Sequence, residues 1–113
     1  MPQSQELVAA SATTMILAML SHGENYGSAI IQRIKQLSGG EIAWTDGTLY
    51  PVLRRLETQG LVASEWRVGE SGKKRRYYRI RKSGLASLDE QREQWQLASR
   101  VLGRLWRGHP CPT

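Results

Sequence analysis

The sequence predicts a mainly α chain with a small β-hairpin, in the order helix, helix, helix, hairpin, helix. Three observations carry this. Apolar residues recur at helical spacing along most of the chain. A Gly69-Glu70-Ser71-Gly72 run separates two segments with strand alternation. The last stretch, from about Ser83 to Trp106, holds an apolar repeat of alternating threes and fours. With 113 residues, 40% of them apolar and 23% charged, the chain has the length for one folded domain with a modest core.

The first helix is expected from about Glu6 to Leu20. Leu7, Ala10, Thr14 and Leu17 share a stripe, with Met15 and Ala18 beside it. Ser21 to Asn25 reads as a turn around Gly23. A second helix from about Tyr26 to Leu37 buries Ile30, Ile34 and Leu37, and Gly39-Gly40 stops it. Glu41 to Trp44 is too short for a helix and reads as a small strand.

The third helix begins near Asp46 to Thr48 and ends at Gly60. Pro51 limits how early it can start, because proline lacks an N–H and fits only near a helix beginning. At about 100° per residue, Leu49, Val52, Leu53 and Leu56 form one face and must be core. Gly47, Pro51, Arg54 and Thr58 form the opposite, outward face, with Tyr50 and Arg55 on its flanks.

A hairpin follows, with Leu61 to Val68 and Lys73 to Arg81 as its strands. Alternation places Tyr78 and Ile80 on one side of the return strand and Lys73, Arg75, Tyr77 and Arg79 on the other. An outward-facing helix followed by a two-stranded ribbon with a cationic tip is a winged helix-turn-helix. Such a unit sets its helix in the major groove of DNA and its wing on the neighbouring backbone or minor groove.

Charge points the same way. Ten of the sixteen Lys and Arg lie between Arg54 and Lys82, with only Glu57, Glu65 and Glu70 against them. That window carries +7 and the rest of the chain sums to −1, so the formal +6 belongs to one segment, densest in the run GKKRRYY. A local Arg-rich field with tyrosines beside it suits nucleic acid, the alternative being a solvated basic face. Arg54 and Tyr50 are expected at the groove, with Arg55 also among the DNA-binding residues, and the cluster Lys73, Lys74, Arg75 and Arg76, with Tyr77, on the backbone.

The last helix carries Leu85, Leu88, Arg92, Trp95, Ser99, Leu102 and Trp106 on one seam, with Leu97, Val101 and Leu105 as a second stripe. Twenty-four helical residues span roughly 36 Å, more than a small domain covers along one side, so the seam calls for another chain. A two-fold homodimer through Leu7, Leu85, Leu88, Arg92, Trp95, Leu102 and Trp106 is expected, and with it a roughly palindromic operator. On this reading residues 1–82 are the DNA-binding unit, 83–107 the dimerisation helix and 108–113 a disordered tail.

Other chemistries find little support. His22 and His109 are far apart and neither has ligands at metal spacing, so no metal or cofactor is expected. No nucleophile motif, acid–base pair or phosphate-binding glycine loop is present, which argues against an enzyme. The apolar stretch Met15 to Leu20 is far short of a membrane span. No charged leader with a cleavage site opens the chain, and the single Cys111 can form no disulfide within it, which fits a reducing cytoplasm. Asp89, Glu90 and Glu93 are expected on the exposed side of the last helix. Trp44 and Trp66 read as structural, Trp66 packing against Tyr78.

The stretch GTLYPVLRRLETQGLVASEW, the later GKKRRYYRI and the upstream ILAMLSHGENYG resemble the PadR family of transcriptional regulators, over roughly Met15 to Trp106. The short chain with one C-terminal helix is similar to its smaller subfamily, which includes multidrug-sensing repressors. The resemblance implies a winged-helix dimer that binds an operator, with repression relieved by a ligand in some members. Carried over by position, Thr48, Tyr50 and Pro51 approach DNA from the start of the recognition helix, and Lys73, Arg75 and Arg76 hold phosphates. Two departures stand out. Where the family usually has a threonine capping the last helix, this chain has Arg81. The cap must come from Ser83 or water, a loss of about 1 kcal/mol. Ser28 replaces a bulkier residue common in the family.

Trp95 lies mid-seam, where its two-fold mate comes close, and indoles stack well on flat aromatic or cationic ligands. The segment EQWQLASRVL resembles the one that carries a ligand-stacking tryptophan in drug-sensing members. With the small or polar Ala10, Thr13 and Thr14 opposite and Ser99 one turn on, this implies a site for a planar aromatic effector. The alternative is that Trp95 simply fills the dimer core. Two functions stay open: a sequence-specific, ligand-responsive repressor, or a small-molecule or partner-binding dimer whose DNA contact is incidental.

Overall fold

The computed structural model describes residues 5–107, and only the backbone of residues 5–9. Leu7's side chain, His109, Cys111 and the expected tail therefore lie outside the described residues. The elements are α1 (Gln5–Ser21), β1 (Asn25–Tyr26), α2 (Gly27–Leu37), α3 (Asp46–Thr58), β2 (Val62–Val68), β3 (Lys74–Ile80) and α4 (Lys82–Arg107). The three strands form one antiparallel sheet in the order β1-β3-β2. Mainly α with a small sheet, this is the winged helix-turn-helix expected.

The core joins every helix to the wing. Ala12, Ile16, Leu17 and Leu20 of α1 meet Ile30 and Ile34 of α2 and Leu49, Val52, Leu53 and Leu56 of α3. Val62, Tyr78, Leu88 and Trp44 close the cluster. The core face expected for α3 is therefore observed in full. In α1 the buried stripe is instead Ala12, Ile16, Leu17 and Leu20, while Ala10 is exposed and Thr14 half-buried. The sequence of α1 is apolar nearly all round, so periodicity could not single out a face, and packing against α3, β3 and α4 decides it.

Both short helices end as their glycines suggest. After α3, Gly60 takes φ 75°, its N–H donates to the Glu57 carbonyl at 3.0 Å, and Leu61 N–H donates to Leu56 O at 2.9 Å. This paired closure satisfies the last free carbonyls and turns the chain into β2. The same pattern follows α2, with Gly39 at φ 64° and Gly40 N–H on Lys35 O at 2.8 Å.

Three expectations are corrected. Glu41 to Trp44 is not a strand: among the described residues it takes no part in the sheet, and its contacts include Ile42 N–H donating to Ser38 Oγ at 2.8 Å and the burial of Trp44. The third strand is β1, formed by the last residue of the expected turn and the first of the expected second helix, where Asn25 pairs with Tyr78 and Tyr26 with Tyr77. Leu37, expected to be buried, is the last residue of α2 and is 62% exposed.

The start of α4 is pressed into the turn after α3. Arg81 N–H donates to Leu61 O at 2.9 Å and Ser83 Oγ to Gly60 O at 2.6 Å. Ser83 therefore bonds across to Gly60 and does not cap its own helix. Gly84 is buried there, and a Cβ on it would run into the Leu61 carbonyl and Ile80 Cγ1.

Candidate nucleic-acid interface

The outward side of α3 and the inner side of the wing enclose a cleft of about 350 Å³, lined by Tyr26, Gly27, Ser28, Tyr50, Arg54, Glu57, Trp66, Lys74, Arg75, Arg76 and Tyr78. Helical spacing in α3 projects Tyr50, Pro51 and Arg54 into solvent, since the opposite stripe is held in the core. Thr48 is half-buried at the first turn, its hydroxyl 3.4 Å from that of Thr45. Gly27 makes room for the Tyr50 ring, because a Cβ there would stand 2.9 Å from Tyr50 Cζ.

The wing divides its cations between two faces. On the face turned away from Tyr78, Arg75 Cζ lies 4.4 Å from the centre of the Tyr26 ring. Tyr26 meets Tyr77 edge-on at 5.4 Å, and Arg67 lies 5.0 Å from the Tyr77 ring. Arg67 also forms ion pairs with Glu24 and Glu65. Those two hydrogen-bonded carboxylates hold its guanidinium protonated well above the usual range, and the Arg67 hydrogen bond in turn lowers the Glu24 carboxyl. The ladder ties β1 to the wing across Tyr26 and Tyr77.

On the Tyr78 face, Arg76 Nε donates to Ser64 Oγ at 2.9 Å and Nη2 to Glu57 Oε1 at 3.2 Å. Ser64 Oγ donates to Glu57 Oε2 at 2.7 Å. Trp66 sits opposite Arg76 in the strand register, with Lys74 Nζ 5.4 Å and Arg76 Cζ 5.8 Å from its ring. Burial raises the Tyr78 hydroxyl above its ordinary value.

The cleft thus gathers Tyr50, Arg54, Lys74, Arg75 and Arg76 from the expected set, with Pro51 on the same exposed side of α3 and Lys73 exposed beside Lys74. Five residues differ from their expected settings. Arg55 turns to α1, donating through Nη2 to Thr13 Oγ1 at 3.1 Å. Arg76 points inward to a carboxylate, and Tyr77 and Arg75 are half-buried in the ladder on Tyr26. Trp66 does not serve as buried packing for Tyr78; it is 57% exposed and lines the cleft. Alternation from the charged Glu65 would turn Trp66 inward, so its immediate neighbours gave no signal of this exposure.

A second cleft of about 470 Å³ lies between α1 and α4, lined by Ala10, Thr13, Thr14, Gln91, Gln94, Trp95 and Ala98. Trp95 Nε1 donates to Thr14 Oγ1 at 3.1 Å, Thr14 Oγ1 donates to Gln91 Oε1 at 2.5 Å, and Gln91 Nε2 donates to Ser87 Oγ at 2.9 Å. Ser99, expected in this site, is exposed and not among its lining, because Ala98 takes the position one turn from Trp95. Along α4, Leu85, Arg92, Trp95, Leu102 and Trp106 are exposed, as are Leu97, Val101 and Leu105. Leu88 is not: at 3% exposure it is packed in the chain's own core, so it has no surface left for a partner.

Among the described residues, no group of three or more His, Cys, Asp or Glu is placed to hold a metal ion, and no helix is long and apolar enough to cross a membrane. Residues 16–90 match the family model of the transcriptional regulator PadR-like family. The chain is 39% identical over 100 residues to the transcriptional regulator Rv3488 of Mycobacterium tuberculosis, covering 88% of this chain and 90% of that protein. A PadR family transcriptional regulator from Eggerthella lenta is 38% identical with a TM-score of 0.75, over 92% of this chain and 88% of that one. A transcriptional regulator from Clostridium thermocellum superposes with a TM-score of 0.79 at 30% identity, over 88% and 96% of the two chains. A family of regulators and not of enzymes accounts for the winged fold, and the chain belongs to it: this is a member of the PadR-like family of transcriptional regulators.

Proposed function

We propose that this regulator is a homodimeric, sequence-specific DNA-binding repressor of the family's small, drug-sensing type, released by a planar aromatic ligand. The observation that carries DNA binding is the cleft where Tyr50 and Arg54 of α3 stand beside Lys74 on the wing, with Pro51 and Lys73 exposed next to them. Tyr50, Pro51 and Arg54, with Thr48 behind them, read the major groove. Lys73 and Lys74 take phosphates, and Arg75 and Tyr77 keep the wing in place. Residues 1–82 are the DNA-binding unit and 83–107 the dimerisation helix, in a protein working in the cytoplasm. The exposed stripe of Trp95, Leu97, Val101, Leu102, Leu105 and Trp106 supports dimerisation, since a contiguous apolar face of that length is costly to leave in water. A two-fold dimer calls for a palindromic operator.

Selection of bound duplexes from a random pool tests the reading. A recovered palindrome with half-sites about one helical turn apart supports it. A dimer that recovers no sequence preference sinks it.

The Trp95 cleft favours a second reading, in which ligand binding is the main task and DNA contact incidental. Its polar rim of Thr14 and Gln91 beside a half-exposed indole suits a flat aromatic or cationic molecule. Tryptophan fluorescence titration with a planar cationic dye, against Trp95→Ala, distinguishes them. Tight dye binding by a protein that selects no DNA supports this second reading.

A further inference from the structure

Among the described residues Glu57 is the one acid lining the cationic cleft, and its two carboxylate oxygens are both engaged. Oε2 accepts from Ser64 Oγ at 2.7 Å and Oε1 from Arg76 Nη2 at 3.2 Å, while Arg76 Nε donates to the same Ser64 Oγ at 2.9 Å. The three bonds close a triangle with one corner on each of α3, β2 and β3. Ser64 pairs with Tyr78 and Arg76 with Trp66, so both lie on the Tyr78 side of the sheet in pairs two register positions apart, and the triangle joins that side of the wing to α3. The pair is only partly exposed, with side-chain exposures of 41% and 34%.

We infer that the Glu57–Ser64–Arg76 triangle is a specificity-positioning clasp: it sets the wing against the recognition helix and withholds the Arg76 charge from DNA. The inference rests on the DNA-binding reading above. Two physical consequences follow. First, a planar guanidinium held at two nitrogens by groups on two different elements fixes their relative orientation in a way a lone pair of opposite charges does not. The wing then meets the backbone at one distance from α3, and only duplexes whose groove shape suits that distance bind well. Second, Arg76 is already neutralised, so it adds little to the phosphate-neutralising charge that drives sequence-independent binding. Glu57 therefore suppresses binding to arbitrary DNA. Arg76 and Glu57 are positioning residues, acting through the wing and not as readers of bases.

The test uses the full chain, a duplex recovered by selection and a random duplex of equal length, with affinity followed against salt. Glu57→Gln is nearly isosteric and keeps an oxygen for Ser64, but frees the Arg76 charge. It should steepen the salt slope by about one, an extra threefold to fourfold loss between about 50 and about 200 mM salt, while tightening random-duplex binding at the low end. Ser64→Ala leaves every charge in place. It should leave the slope unchanged yet lower the ratio of selected to random affinity severalfold, which a charge effect alone does not do. The double variant Glu57→Gln/Arg76→Ala has the wild-type charge and should return to the wild-type slope with the lowered ratio. A wild-type slope and ratio in Glu57→Gln, or an intact ratio in Ser64→Ala, overturns the clasp. Wild-type protein that prefers no duplex overturns the DNA-binding reading itself and is seen before any variant is made.

Discussion

Gly84→Ala is the most discriminating substitution for the fold, because two known effects act in opposite directions. Gly84 is the third residue of α4, and replacing glycine by alanine in a helix gains up to about 1 kcal/mol, the full amount applying to the interior. Here the added Cβ would stand 2.6 Å from Ile80 Cγ1 and closer still to the Leu61 carbonyl, which is backbone and cannot rotate away. Overpacking of this kind costs about 1 to 3 kcal/mol. Backing α4 off to relieve it strains the Arg81 N–H to Leu61 O and Ser83 Oγ to Gly60 O bonds, each worth about 1 kcal/mol. The sum is a net loss of about 1 to 2 kcal/mol. With a urea dependence of about 1 to 3 kcal/mol per molar, the midpoint should fall by roughly 0.5 to 1 M. The assay is urea unfolding followed by tryptophan fluorescence, at one fixed protein concentration so that association does not enter. Gly103→Ala is the control in the same helix. Its Cβ would meet only the end of Arg107, 3.6 Å away, and the variant should be as stable as wild type or more so. A Gly84→Ala midpoint at or above that of wild type would mean that α4 is not pressed into the turn after α3, and the account of how the helix is seated would be wrong.

Other perturbations have simpler signs. Leu53→Ala removes a side chain with no exposure from the centre of the core and should cost about 2 to 5 kcal/mol by the same urea assay. Lys74→Ala should weaken all duplexes alike and reduce the salt slope by about one, whereas Arg54→Ala should flatten the profile recovered by random selection; an intact profile removes Arg54 from the reading face. Burial raises the Tyr78 hydroxyl, so the folded chain holds that proton more tightly than the unfolded one. The associated stability is complete below the ordinary tyrosine value of about 10 and is lost as pH climbs through the higher folded value. Tyr78→Phe should therefore lose less stability than wild type in that alkaline window, and equal losses would show that the hydroxyl does not titrate there. For Glu24, lowered by its hydrogen bond with Arg67, the sign is reversed: its contribution is present above the ordinary carboxylate range and disappears as pH falls through the folded value, so Glu24→Gln should flatten the acid limb of an unfolding titration.

How much of this was legible in the residues depends on what each pattern had to decide. In α3 one stripe is apolar and the opposite one is not, so helical spacing alone named Leu49, Val52, Leu53 and Leu56 as core, and all four are buried. In α1 the same method had nothing to separate, because Ala, Leu, Met and Ile occur on every side and three different elements compete for them. The strand β1 was illegible for another reason. Two residues carry no periodicity, and Asn25-Tyr26 is ordered by the edge of β3, which lies about fifty positions later in the chain. On α4 the spacing placed Leu88 on the seam with Trp95 and Leu102, which is geometrically sound. It could not tell that the chain's own core would take Leu88 while leaving Leu85 before it and Trp95 and Leu102 after it open.

The wing shows the same limit in electrostatic form, and there it changes an expected measurement. Ten cations between Arg54 and Lys82 suggest a slope for salt-dependent binding of about nine per subunit, at roughly 0.9 for each phosphate neutralised. Tertiary structure reassigns most of them. Arg67 is paired with Glu24 and Glu65, Arg76 with Glu57, and Arg55 is bonded to Thr13. Arg75 is stacked on Tyr26, and Arg79, Arg81 and Lys82 stand at the base of the wing where α4 begins. What remains at the cleft and the wing tip is Arg54, Lys73 and Lys74. None of the three has a carboxylate partner among the described residues. Three contacts per subunit predict a slope of about three. Affinity for a selected duplex, measured at several salt concentrations and divided by the number of subunits bound, decides between the two values. A slope near nine would mean that the ion pairs of Arg67 and Arg76 open on DNA and that Arg55, Arg75 and the cations at the base of the wing reach phosphates as well, so that the contacts of the free protein do not describe the charge it presents when bound.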